Sequence, residues 1–103
     1  MAKKYEVCYS IVSQTAGSFT AAFETYYVFS SNPGTMTITL PTPSDGYSHS
    51  IFFKFTTGSS VAITWSGTGV VYYSDYAIEA SKTYEINALW NGSNWIIAYA
   101  TIG

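Results

Sequence analysis

Side-chain chemistry needs groups that can converge, and the titratable inventory of this chain is short. His49 is the single histidine, set between Ser48 and Ser50, and Cys8 is the single cysteine. The acids are Glu6, Glu24, Asp45, Asp75, Glu79 and Glu85, and the bases are Lys3, Lys4, Lys54 and Lys82. A lone His beside serines lacks the third group that orients a nucleophile and its base, and no serine sits in a nucleophile elbow. The stretch SGTG (66–69) leads into strand formers and not into a helix, so it is not a phosphate cradle. Asp75 and Glu79 fall close together without the further oxygen ligands at fixed spacing that calcium needs. One Cys and one His do not make a zinc site. Cys8 has no partner for an intrachain disulfide and reads as a small apolar side chain. Asn91-Gly-Ser fits a glycosylation sequon, but reads more simply as a turn. No catalytic residue, metal or cofactor is expected.

What remains is the chemistry of aromatic faces and hydroxyls. Aromatic residues reach 18%, with ten Tyr and three Trp, while charged residues make up only 10%, against roughly 25% in ordinary globular proteins. The polar surface must therefore come from elsewhere, and 14 Ser and 13 Thr supply it. A net charge of −2, with no basic cluster beyond Lys3-Lys4, argues against a phosphate-backbone partner and against single-strand nucleic acid on an aromatic sheet. Aromatic rings can stack on sugar rings while Asn, Asp and Ser bond the hydroxyls. Trp65, Tyr72, Tyr73, Asp75 and Tyr76, gathered around SGTGVVYYSDY, are the candidates for such a glycan site.

These residues must be positioned by strands. Turn signals recur at SQTAGS (13–18), SSNPG (30–34), PTPSDG (41–46), TGSS (57–60), SGTG (66–69) and NGSN (91–94), with strand formers between them. That pattern predicts an all-β fold: one domain over 1–103, an antiparallel, jelly-roll-like β-sandwich of about eight short strands with no substantial helix. Residues 5–12 alternate, and TMTITL (35–40) alternates throughout, with Met36, Ile38 and Leu40 inward. SIFFKFTT (50–57) and VAITW (61–65) flank a Gly-Ser-Ser turn and read as a hairpin, and VVYYS (70–74) as a further strand. AIEASKT (77–83) has room for one helical turn. The opening MAKKYEVCYS carries two lysines with no apolar run behind them, so no secretory leader is expected. No stretch approaches the ~20 apolar residues of a membrane helix.

The segment TYEINALWNGSNWIIAYATIG reads as a hairpin turning at Asn91–Asn94. Even loop lengths put Tyr84, Ile86, Ala88 and Trp90 on one face with Trp95, Ile97 and Tyr99, so the two Trp rings meet across the strands. The other face takes Glu85, Asn87 and Leu89 with Ile96, Ala98 and Ala100. A final strand apolar on both sides belongs at the centre of a sandwich or at a subunit contact. Tyr26-Tyr27 and Tyr72-Tyr73 are adjacent pairs in strands, so one member of each must look away from a single core. Tyr27, Ile96, Ala98 and Ala100 are the expected contact residues.

The runs TMTITLP, HSIFFKFTTGSSVAITWSG and YAIEASKTYEINALWNGSNWI together resemble the small β-sandwich modules of tailed-phage structural proteins. Such modules occur at the ends of tail fibres and receptor-binding proteins, particularly in phages of gut bacteria. The features that carry the resemblance are the TITLP strand from Thr37 to Pro41, the segment Ile51 to Gly58 with Trp65, and the closing stretch from Lys82 to Trp95, covering about the last two-thirds of the chain. The resemblance implies a non-enzymatic virion part, a homo-oligomer and more specifically a trimer. Its partners would be other virion proteins or a host-surface glycan, and it brings no catalytic residues to carry over. A small accessory or adaptor protein on the particle fits equally well.

Overall fold

Strand-forming residues and short turns dominate the computed structural model, which describes residues 9–15, 17–72 and 76–102. The strands are β1 (Ser10–Gln14), β2 (Phe19–Thr20), β3 (Thr25–Phe29), β4 (Thr35–Thr39), β5 (His49–Thr56), β6 (Ala62–Ser66), β7 (Val70–Tyr72), β8 (Thr83–Trp90) and β9 (Trp95–Ile102). They form a six-stranded sheet in the order β1-β3-β5-β8-β9-β7 and a three-stranded sheet in the order β2-β4-β6. The all-β sandwich is as expected, with nine strands and no helix among the described residues. Ala80 and Ser81 form only a turn. Tyr73 and Ser74, assigned to a strand from the sequence, lie outside the described residues, as do 5–8 of the first alternating run.

The pairing differs from the antiparallel expectation. From β1 to β6 the chain alternates between the sheets, so each strand pairs in parallel with the strand two places on: β1 with β3, β3 with β5, β2 with β4, and β4 with β6. The first two-thirds is thus wound as a flattened coil. Only β8 pairs antiparallel, with β5 on one side and β9 on the other, and β7 closes the edge parallel to β9. The expected hairpin of residues 50–57 and 61–65 does not form, because β5 and β6 belong to different sheets. The link between them is held elsewhere. The Thr57 amide donates to Lys82 O at 2.9 Å, its hydroxyl to Glu79 O at 2.7 Å, and the amides of Gly58 and Ala62 to Pro33 O and Gly34 O. Those bonds carry the chain across the sandwich instead of back along β5.

The core lies between the sheets. The large sheet contributes Tyr27, Ile51, Phe53, Phe55, Tyr84, Ile86, Ala88, Trp90, Trp95 and Ile97, and the small one Met36, Ile38 and Trp65, with Leu40 just beyond β4. Rings meet edge-on across the gap, Phe53 on Trp65 and Phe19 on Tyr27, each at 5.0 Å between centroids. At about 1.5–3 kcal/mol for each large apolar side chain fully buried, this set supplies most of what holds the two layers together.

The closing hairpin has the expected faces and a four-residue loop. Asn91 Oδ1 accepts from the amides of Ser93 and Asn94, and Asn91 N donates to Asn94 O. The loop also fixes β7. Gly69 O accepts from Trp95 N at 3.1 Å and from Asn94 Nδ2 at 3.0 Å. A Cβ on Gly69, whose φ is +64°, would stand 2.7 Å from Ser93 O, so the approach admits no side chain there.

Candidate interaction surface

The two outer faces of the sandwich have opposite chemistry. On the small sheet, strand alternation turns Thr35, Thr37 and Thr39 of β4 and Thr64 and Ser66 of β6 away from the core, giving a hydroxyl surface that water satisfies. On the large sheet the outward residues form rows set by strand register. Ile11, Tyr26, Phe52, Asn87 and Ala98 make one, and Ser13, Val28, Lys54, Glu85 and Ala100 the next. Leu89, Ile96 and Val71 extend the apolar surface toward the hairpin end. Ile11, Val71, Leu89 and Ile102 are all exposed. The expected contact residues Ile96, Ala98 and Ala100 lie together on this face.

The centre of the face is sunken. A depression of about 260 Å³ lies over the short side chains of Ala98 and Ala100, lined by Phe52, Glu85 and Asn87 among others. Its polar groups are few. The Tyr26 hydroxyl donates to Glu85 Oε2; burial first, then the bond and charge of Glu85, push the Tyr26 hydroxyl up to about 12. Asn87 Oδ1 is buried with no hydrogen-bond partner, an arrangement that penalises the isolated chain and rewards an arriving N–H or O–H.

Tyr27 lies not on this face but in the core, stacked 5.5 Å from Phe53, with its hydroxyl accepting from the Ala22 amide at 2.8 Å. The reason is register: Tyr27 sits opposite the inward Phe53, and Tyr26 opposite the outward Phe52. The parity rule therefore holds with its members exchanged. Sequence reasoning missed Tyr26, Glu85 and Asn87 as the polar centre. The signal was present in part, since Glu85 and Asn87 already shared an outward face with Ile96 and Ala98.

The expected glycan residues divide. Trp65 is only 5% exposed and belongs to the core; its Nε1 donates to the Tyr76 hydroxyl at 2.7 Å. Tyr76 in turn stacks on Tyr72, at 4.6 Å and 26°, and Tyr72 is 47% exposed. Among the described rings of the group, Tyr72 offers solvent a face, with Tyr76 backing it and Trp65 anchoring Tyr76. Burial, with the neighbouring Tyr72 and Tyr84, pushes the Tyr76 hydroxyl up to about 12 against the opposing bond from Trp65. Tyr73 and Asp75 lie outside the described residues. Among the described residues no cluster of three or more His, Cys, Asp or Glu is arranged to hold a metal ion, and no helix is long and apolar enough to cross a membrane. Compared with protein-family models and with curated proteins, the sequence matches none.

Proposed function

We propose that the chain is a non-catalytic structural or host-attachment module of a virion, which self-associates by burying the outer face of its larger sheet against further copies. One observation carries the reading: the large sheet presents Leu89, Ile96, Ala98, Ala100 and Val71 outward, while the small sheet presents threonines. An outward apolar cluster of this kind, on one face only, is what an interface needs before assembly. The few polar groups among them, Asn87 above all, would gain partners from the facing copy. The resemblance to phage fibre modules supports the virion setting and three copies in particular. Light scattering coupled to size exclusion tests the proposal: a multiple of the 11.3 kDa chain supports it, and a monomer at every concentration removes it.

A second reading has its own observation. Tyr72 offers a solvent-facing ring on a rigid aromatic stack, the geometry that sugar stacking uses. A glycan screen of the chain with and without Tyr72→Ala decides it. Loss of a binding signal in a folded variant supports a carbohydrate-binding module.

A further inference from the structure

Both ring nitrogens of His49 face carboxylates. Nδ1 lies 2.8 Å from Glu24 Oε1, and Nε2 lies 2.9 and 3.0 Å from the two oxygens of Asp45. The ring is nearly buried and lies flat on Phe23, with centroids 4.2 Å apart. Ionised carboxylates only accept hydrogen bonds, so both contacts are satisfied only when both nitrogens carry protons. Either neutral tautomer turns a ring lone pair toward a carboxylate oxygen. The two carboxylates lie on opposite sides of the ring, so they clamp the imidazolium and do not converge on a shared ion.

The two carboxylates are not equally held. Glu24 is 31% exposed, and its Oε2 also accepts from the Ser50 amide at 3.0 Å. Its backbone is bonded to β5 through Ser50 O and to β1 through Ser10 N, and it keeps a left-handed φ of 51°, a conformation a glutamate holds only where its surroundings fix it. Asp45 is 48% exposed, and besides His49 it accepts from Tyr47 N, two residues away. Asp45 sits in the loop 41–48. That loop is tied at its start by Trp95 Nε1 donating to Pro41 O and at its end by the Ser48 hydroxyl donating to Trp90 O. Between these ties it carries the well-exposed Tyr47.

We propose that His49 is a pH-operated latch: its imidazolium pins the middle of loop 41–48 through Asp45, and on losing a proton it keeps Glu24 and releases Asp45 with Tyr47. The direction follows from the surroundings. Burial opposes the charge on His49, but the bonds and charges of Glu24 and Asp45 outweigh it and raise its pKa above 6.5. The latch is therefore closed below 6.5 and opens as pH rises through the raised value. At the acid end, the Tyr47 amide and then His49 hold Asp45 below its usual 3.8, so Asp45 keeps its charge across the range between. Among the described residues, Glu24 and Asp45 are the titratable groups that act on the ring.

A pH titration of the whole chain by nuclear magnetic resonance, on labelled protein, tests the latch. The His49 ring signals are expected to titrate with a midpoint above 6.5, and the amides of Asp45, Gly46 and Tyr47 to shift with that same midpoint. Exchange of the Tyr47 amide, which donates to Asp45 Oδ1, corrected for its intrinsic rise with pH, increases by about tenfold for each unit by which Asp45 raises the His49 pKa. Asp45→Asn, a change at an exposed position, lowers the His49 midpoint and removes the pH dependence of the loop amides, while the Trp95 amide stays where it was. Loop amides that ignore the His49 titration, or a His49 midpoint at or below 6.5, overturn the proposal.

Discussion

Trp90 and Trp95 are direct partners across β8 and β9, their ring centroids 5.7 Å apart and their planes at 55°, yet they are not equivalent. Trp95 is sealed from solvent, lies 6.3 Å from Phe23 and donates Nε1 to Pro41 O; Trp90 grazes the surface. Trp95→Ala is therefore expected to lower stability by about 3–5 kcal/mol, and Trp90→Ala by less, in urea unfolding followed by far-ultraviolet circular dichroism. Equal losses would mean the pair is energetically symmetric, against the burial.

The outer face of the large sheet makes a separable prediction. Ile96→Lys puts a charge at the middle of the apolar rows without touching the core, because Ile96 points away from Trp95 and Ile97. The variant is expected to run as a folded 11.3 kDa monomer in light scattering. An assembly of unchanged mass would place the contact elsewhere.

Asn87→Leu separates the cost of the polar centre from its use. Removing a buried acceptor that has no partner is expected to stabilise the isolated chain by about 1 kcal/mol, read as a higher melting temperature at low concentration. If Asn87 is instead paired across a contact between copies, the same change weakens assembly.

Tyr76→Phe leaves the indole N–H of Trp65 unpartnered in the core, at an expected cost of about 1–3 kcal/mol in denaturant unfolding. Alkaline titration gives a second check. The hydroxyls of Tyr26 and Tyr76 are both pushed up to about 12 from 10.0, so the folded chain holds protons that the unfolded chain releases. Stability should fall as pH rises from 10 to 12, with ultraviolet absorbance following the ionisation.

The strand alternations were legible because side-chain parity is a local property. TMTITL, IFFKF and both arms of the Trp hairpin have the faces their sequences assign. What parity does not contain is which strand lies beside which. Ile51, Phe53 and Phe55 face inward with Trp65 whether β5 and β6 form a hairpin or sit in opposite sheets, so the winding was invisible to it. The Thr57 bonds that divert the chain join residues more than 20 positions apart, beyond any local pattern. The Tyr26–Tyr27 choice failed for the same reason, since it is settled by register against Phe52 and Phe53. The clamp on His49 draws Glu24 and Asp45 from separate turns, which no spacing rule connects.

The place of the β8–β9 hairpin bears on how the chain comes to be folded during synthesis. It lies between β5 and β7, strands made before it. A nascent chain that has just released Tyr72 therefore holds a coil whose next position in the large sheet stays vacant until β8 arrives, and β7 has no neighbour until β9 follows. The edge of β5 that β8 will pair with keeps its backbone N–H and C=O groups unpaired for that whole interval. Ribosome-bound fragments ending before Thr83 should be far more prone to protease attack and to aggregation than those extending past Ile102.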